Sequence, residues 1–268
     1  EAGSDVAEGA SKANSAIVHA GFDCEPGTLK ALLNVKGSEM METVAKELGV
    51  PYRRNTSIVV GFTDEDLPKL QKLLDKGQKN GVRDLKIISG EDARALEPKL
   101  SPNVKYALLA PTGAIICPYE LTIAAIGNAM DNGVTLVRNF EVKMIHRDGD
   151  TYLISAGEGD EIEATRIINC AGVYSDKIAS MVGACDFTIT PRRGDYCLLD
   201  KATGGFVKHT VFQLPGKFGK GVLVSPTVHG NTIVGPTAID IDDREGTNTT
   251  QAGLDDLMEK ANLAVKDL

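Results

Sequence analysis

The chain has 268 residues, 42% of them hydrophobic and 25% charged, which suits a globular protein of one or two domains. A net charge of −8 argues against nucleic acid or an anionic lipid surface as a general partner. No apolar run reaches membrane-spanning length, and the opening EAGSDVAEG has neither the basic flank nor the apolar stretch of a signal peptide.

The five cysteines, at 24, 117, 170, 185 and 197, are scattered and form no CxxC pair. That pattern reads as reduced thiols in a cytoplasmic protein and speaks against zinc or iron–sulfur ligation, so no metal is expected.

The elements follow in chain order from a polar loop that Glu1 opens. In SKANSAIVHAGFD (11–23), small residues lead into Ala16-Ile17-Val18, and His19 sits against Ala20-Gly21. Small residues let backbone approach a flat ligand, and a histidine among them can exchange a proton near neutral pH. The plainer reading is a buried strand ending in a backbone-bonded histidine. From Thr28 to Leu48, the residues Leu29, Leu33, Met40, Val44 and Leu48 recur at helical spacing, and Gly49 with Pro51 ends the run.

Residues 57–62 read as extended. Thr63-Asp64-Glu65-Asp66 then caps a helix running to about Lys79. A strand at Leu85–Ile88, a helix from Ser89 to Leu96 and an extended piece at Val104–Ala110 come next. PTGAIICP leads to a helix over Tyr119–Asp131. Strands are expected at Val134–Val137, Glu141–His146, Tyr152–Ser155, Ile162–Glu163 and Arg166–Cys170, then a helix at Ser175–Val182. Tyr196–Leu199, Val211–Gln213, Val222–Ser225 and Thr232–Gly235 read as antiparallel strands, and Leu254–Leu268 as a closing amphipathic helix. Strands and helices do not alternate throughout, which speaks for α+β elements inserted into an α/β frame.

Three places can carry chemistry. IINCAG (167–172) is an apolar strand ending in Ala-Gly before a helix, a turn that can meet a dinucleotide or simply be tight. Glu1 gains meaning only if a Gly-rich fingerprint stands before it. PRRGDY (191–196) can present a guanidinium fork to a carboxylate or phosphate, although Arg192 and Arg193 would point to opposite faces of a strand. Lys208-His209, Lys217 and Lys220 have the same standing, and Arg53-Arg54 a weaker one. No HExxH, Walker or GxSxG motif occurs. His146 and His229 lie beside turn residues and read as solvent-facing, and Asp240, Asp242, Asp243 and Glu245 as a solvated loop.

With these pieces in order, the chain resembles the FAD-dependent oxidoreductases of the D-amino-acid oxidase/glycerol-3-phosphate dehydrogenase superfamily. The carrying segments are residues 1–37, GVPYRRNTSIVVGFT (49–63), TGAIICPYELTIA (112–124), RIINCAGVYSDKIA (166–179), TPRRGDYCLLDK (190–201) and KGVLVSPTVHGNTIVGPTA (220–238). It is most similar to the bacterial glycerol-3-phosphate dehydrogenase branch, with L-2-hydroxyglutarate oxidases second.

The resemblance implies roles residue by residue. Glu1 matches the acid on the adenosine ribose of FAD, and Ser11, Lys12, Asn14 and Ser15 the loop passing the pyrophosphate and flavin. His19 matches the histidine near the flavin, the catalytic base, with Ala20 and Gly21 as the small residues beside the ring. Val142 matches a backbone contact to adenine, and Ala171 and Gly172 the Ala-Gly beside the dinucleotide. Arg192 or Arg193 matches a position in the substrate domain facing the flavin, and Arg192, Arg193 and, from the residue reading, His209 are the expected substrate contacts.

Asp23-Cys24 departs from an Arg-Tyr pair that helps hold phosphate in aerobic glycerol-3-phosphate dehydrogenases. The family's opening Gly-rich strand would precede Glu1, so the chain reads as the middle of a longer protein, itself expected to hold no FAD and to be inactive.

The fold expected is α/β plus α+β. A partial Rossmann-like FAD-binding layer (1–48 and 115–185) accompanies an antiparallel-sheet substrate domain (50–114 and 186–250) and a closing helix (251–268). The activity implied is oxidation of a secondary alcohol, sn-glycerol 3-phosphate first, with L-2-hydroxyglutarate or an amino acid as alternatives. The expected partners are a small anionic substrate and no nucleic acid. An electron-transfer or membrane-anchoring subunit, and a place against the inner face of the membrane, stay open.

Overall fold

The computed structural model describes residues 1–157, 159–214 and 221–268; Lys217 and Lys220 lie outside them. In chain order the first elements are β1 (Ile17–Val18), α1 (Leu29–Glu47), β2 (Tyr52–Arg54), β3 (Ser57–Gly61) and α2 (Leu67–Lys79). Then come β4 (Lys86–Ser89), α3 (Gly90–Leu96), β5 (Tyr106–Ala110), β6 (Ala114–Ile116) and α4 (Pro118–Asp131). The middle holds β7 (Met144–Asp148), β8 (Thr151–Gly157), β9 (Asp160–Ala164) and α5 (Ser175–Met181). The last are β10 (Arg192–Arg193), β11 (Cys197–Leu199), β12 (Thr210–Gln213), β13 (Leu223–Pro226), β14 (Thr232–Gly235), β15 (Ile239–Asp240) and α6 (Gln251–Ala264).

Local chemistry sets several boundaries. Thr28, Ser89 and Thr250 are extended N-cap residues whose hydroxyls accept from Ala31, Asp92 and Gly253 N–H, and such a cap contributes about 1 kcal/mol. Ahead of α2, the Asp66 carboxylate accepts from the N–H groups of Phe62 (2.9 Å) and Thr63 (3.2 Å), turning the chain sharply out of β3.

The chain divides into two compact units: 1–14, 122–193 and 240–247; and 15–121, 194–239 and 248–268. The contact boundary at Asn14/Ser15 places α1 with the larger unit, whereas the sequence grouped residues 1–48 together.

The larger unit is built on a seven-stranded mixed sheet in the order β11-β14-β13-β12-β3-β5-β4, in which β12 and β3 run parallel and the other neighbours antiparallel. Both faces are buried, so its strands read as nearly continuous apolar runs. Ile58, Val60, Ala107, Leu109, Val211, Val224 and Val234 pack on one face with Leu257, Ala261 and Ala264 of α6. The alternating residues Val59, Leu108, Ala110, Phe212, Leu223 and Ile233 pack on the other with Leu70 and Leu73 of α2 and with Ala20 and Phe22. A three-stranded sheet, β1-β6-β2, carries the segment leading to His19.

The smaller unit contains the antiparallel meander β7-β8-β9 and the helix α5. Two expected strands are absent there. Residues 134–137 and 166–170 join no ladder, and Ile168 is 87% exposed. An apolar run becomes a strand only where a neighbouring strand exchanges a ladder of hydrogen bonds with it, and no such ladder forms among the described residues.

The face of α1 also differs from expectation. Its buried residues are Ala31, Ser38 and Ala45, while Leu29, Leu33 and Met40 are more than half exposed. The periodicity was present, but a small-residue stripe permits the closer backbone approach and takes the inside.

Candidate active site

His19 follows β1 directly and is half-buried, its ring 5.9 Å from that of Phe212 on β12 and tilted 39° to it. Four contacts position the stretch around it. Register places Ile17 opposite Ile115 and Val18 opposite Ala114. Phe22 packs under α2, where a Cβ on Gly77 would stand 2.9 Å from the Phe22 Cβ, so only glycine allows this approach. The Asn80 side-chain amide donates to the carbonyls of Gly21 (3.0 Å) and Cys24 (2.9 Å), closing the loop onto the end of α2. Ser15 Oγ and the Tyr196 hydroxyl lie 2.8 Å apart, and burial pushes the Tyr196 phenol above its usual value while that hydrogen bond partly opposes the shift.

The structure thus brings Ser15, His19, Tyr196 and Phe212 into the unit built on the large sheet. Tyr196 and Phe212 were not foreseen as site residues. No local motif marks them, because their role comes from pairing over 181 residues in one case and ring contact in the other.

Ala20 and Gly21 sit differently from expectation. Ala20 is 2% exposed within the sheet-face core. Gly21 has φ +102°, and a Cβ there would lie 2.7 Å from Val35 Cγ2. The chain's own packing already requires their smallness.

The basic candidates are largely committed. Arg192 closes a bidentate pair on Asp240 (Nε–Oδ1 2.6 Å, Nη2–Oδ2 3.1 Å), so Asp240 is ion-paired rather than merely solvated. The hydrogen bond holds the Asp240 carboxyl below its ordinary value. Arg193, its neighbour on β10, is half-buried.

His209 is held in the same way: its Nδ1 lies 3.2 Å from Glu97 Oε2. That oxygen also accepts from the N–H groups of Lys208 (2.7 Å) and His209 (3.1 Å). Burial alone would raise the Glu97 carboxyl, but these bonds outweigh it and hold the group below its usual value. Two basic pairs, Arg53-Arg54 and Lys208-His209, meet with Asn55 around one cavity of about 360 Å³.

In the smaller unit, Glu1 is anchored by its ammonium on Val137 O (3.0 Å), and its carbonyl accepts from Phe140 N–H (2.9 Å). Its carboxylate accepts from Gly3 N–H at 3.0 Å. Asn14 ties back to the carbonyls of Ala10 and Ser11 (both 3.1 Å), and Ser11, Lys12 and Asn14 are exposed. Val142 is half-buried just before β7.

Ala171 accepts capping from Asn169, whose Oδ1 receives the Ala171 N–H at 3.2 Å. Gly172 turns with φ +56° and faces open space, with no atom within 4 Å of where a Cβ would stand. An anchored, exposed acid and an open, side-chain-free turn fit the flat and hydroxylated parts of a dinucleotide.

Comparison with known proteins gives a consistent picture. The family model described as DAO, FAD dependent oxidoreductase, matches residues 1–268. A glycerol 3-phosphate dehydrogenase of Caloramator mitchellensis is 47% identical over 264 residues, covering 98% of this chain and 55% of that protein. The mitochondrial L-2-hydroxyglutarate dehydrogenase of Mus musculus is 32% identical over 260 residues, covering 92% and 56%. The chain spans about half the length of these curated relatives. The FAD-bound, dithionite-reduced L-α-glycerophosphate oxidase of Mycoplasma pneumoniae superposes with a TM-score of 0.94 at 30% identity, over 100% of this chain and 72% of that one.

Proposed function

As a chain that belongs to the FAD-dependent oxidoreductase family, this protein, we propose, is part of a full-length enzyme that oxidises sn-glycerol 3-phosphate to dihydroxyacetone phosphate with FAD as its cofactor. The carrying observation is 47% identity over 98% of the chain to a relative named glycerol 3-phosphate dehydrogenase. When bound, the flavin supplies the hydride acceptor.

The protein's own residues do the rest. His19 is the proposed general base, taking the proton of the substrate hydroxyl; its contact with the Phe212 ring and the fixed β1 register limit where the imidazole can go. Ser15 and Tyr196 hold the segment ahead of it through their 2.8 Å hydrogen bond. Glu1, Val142, Ala171 and Gly172 keep the dinucleotide-holding roles that the resemblance implies. No described helix is long and apolar enough to cross a membrane.

Anaerobic flavin reduction by glycerol 3-phosphate in the full-length enzyme tests the base. His19→Ala should slow it by about 10²–10⁴-fold and remove the rise of rate with pH. Reduction at the wild-type rate with an unchanged pH profile refutes the assignment. The second reading, L-2-hydroxyglutarate as substrate, has its support in the 32% identity to the mouse enzyme, and steady-state turnover of the two substrates separates them.

A further inference from the structure

We propose that Cys117, Glu120 and His229 form a binding site for a zinc-class divalent cation. The site is independent of the flavin reading and lies within the larger unit. One donor atom from each of the three residues, the Cys117 Sγ, a Glu120 carboxylate oxygen and a His229 ring nitrogen, all lie within 4.8 Å of one another. This is the only such grouping of three among the described residues. The absence of a CxxC pair pointed away from metal, yet these ligands come from segments more than a hundred residues apart in sequence.

The fold explains why they meet. Cys117 directly follows β6 and is 2% exposed. Glu120 lies three residues later in the first turn of α4, on the same side of the helix start. His229 stands in the tight turn between β13 and β14, where Thr227 N–H bonds Asn231 O at 2.8 Å. This corrects the expectation of a solvent-facing His229: its Nε2 is 3.1 Å from Glu120 Oε1. The Tyr119 ring stacks on its imidazole at 6.2 Å and 27°. Tyr119 therefore braces the imidazole ligand, as residues around metal sites do.

The donor chemistry selects the ion. A thiolate, an imidazole and a carboxylate are the zinc ligands, whereas magnesium and calcium favour oxygen donors throughout. Zinc bonded at about 2.0–2.3 Å in a tetrahedron sets its ligand atoms about 3.3–3.6 Å apart. The 4.8 Å limit therefore calls for a contraction of about 1 Å, within side-chain rotation at the two partly exposed ligands. The Glu120 and His229 side chains are 33% and 36% exposed, so solvent reaches the site and water can complete the coordination. A simple histidine–glutamate pair would account for the 3.1 Å contact but gives no reason for a buried thiol beside both.

The test uses the chelator-stripped protein. Cobalt(II) should bind at one equivalent and produce a thiolate-to-metal charge-transfer band together with tetrahedral visible bands. Zinc competition against a chromophoric chelator should show that Cys117→Ser and His229→Gln each weaken binding by about 100-fold or more, since even outer-shell changes cost 10–100-fold. Cys170→Ser, at an exposed cysteine, should change nothing. Metal-free melting curves and circular dichroism check that each variant is folded. Cobalt binding without the thiolate band, no binding at all, or full-strength zinc binding by folded Cys117→Ser overturns the proposal.

Discussion

Glu97 offers the sharpest test of how the site is held. It is 1% exposed at the end of α3, and one carboxylate oxygen accepts from Lys208 N–H, His209 N–H and His209 Nδ1. The three bonds pin the chain just ahead of β12, the strand whose Phe212 faces His19. Glu97→Ala removes the common acceptor and leaves two main-chain donors without it.

An orphaned buried donor costs about 1–3 kcal/mol, and these donors are only partly buried, so a loss of about 3 kcal/mol is expected. Glu97→Gln keeps an acceptor but loses the charge assistance, for about 1 kcal/mol. Urea denaturation followed by circular dichroism measures both. Because the folded carboxyl lies below its usual 4.5, its stabilisation is complete above that value and disappears as pH falls through the lower folded one. The wild-type advantage over Glu97→Gln should therefore shrink below about pH 4. A Glu97→Ala cost under about 0.5 kcal/mol, or a gap independent of pH, refutes this account.

Two further outcomes follow from the same geometry. Gly21→Ala combines φ +102° with a Cβ 2.7 Å from Val35 Cγ2 and should destabilise by about 2–3 kcal/mol, read by denaturation, with flavin reduction slowed because the segment beside His19 must shift. In the smaller unit, Arg244 grips Asp176 (2.5 and 2.7 Å), and Ile189 N–H adds a 3.0 Å bond, so that the carboxyl is held far below its ordinary 3.8. Asp176→Asn should lower the melting temperature at neutral pH. The difference from wild type should narrow as the buffer is acidified below about pH 4, since a depressed carboxylate stabilises above its unfolded value and stops doing so as it protonates.

Much of the local structure follows from residues within one turn of each other. Thr28, Ser89 and the Thr63–Asp66 segment announced their helix starts because a cap bonds an N–H two or three positions away, and that information is local. The family membership was equally legible, since ordered segments from 1 to 238 carry the resemblance and the family model spans the chain.

What depended on partners distant in sequence was decided by the tertiary structure. Residues 134–137 and 166–170 have strand-like composition, yet a strand exists only with a neighbour to form a ladder, and they join no ladder among the described residues. The leucines of α1 have the right period, but the stripe that goes inside is chosen by what packs there, and Ala31, Ser38 and Ala45 were chosen. Arg192 and His209 looked available because charge is visible in a sequence while Asp240, 48 residues on, and Glu97, 112 residues back, are invisible as their partners. By the same logic, Cys117, Glu120 and His229 carry no spacing signature. Chain topology alone brings a β6 end, a helix start and a hairpin turn to one point, and a donor set has meaning only in three dimensions.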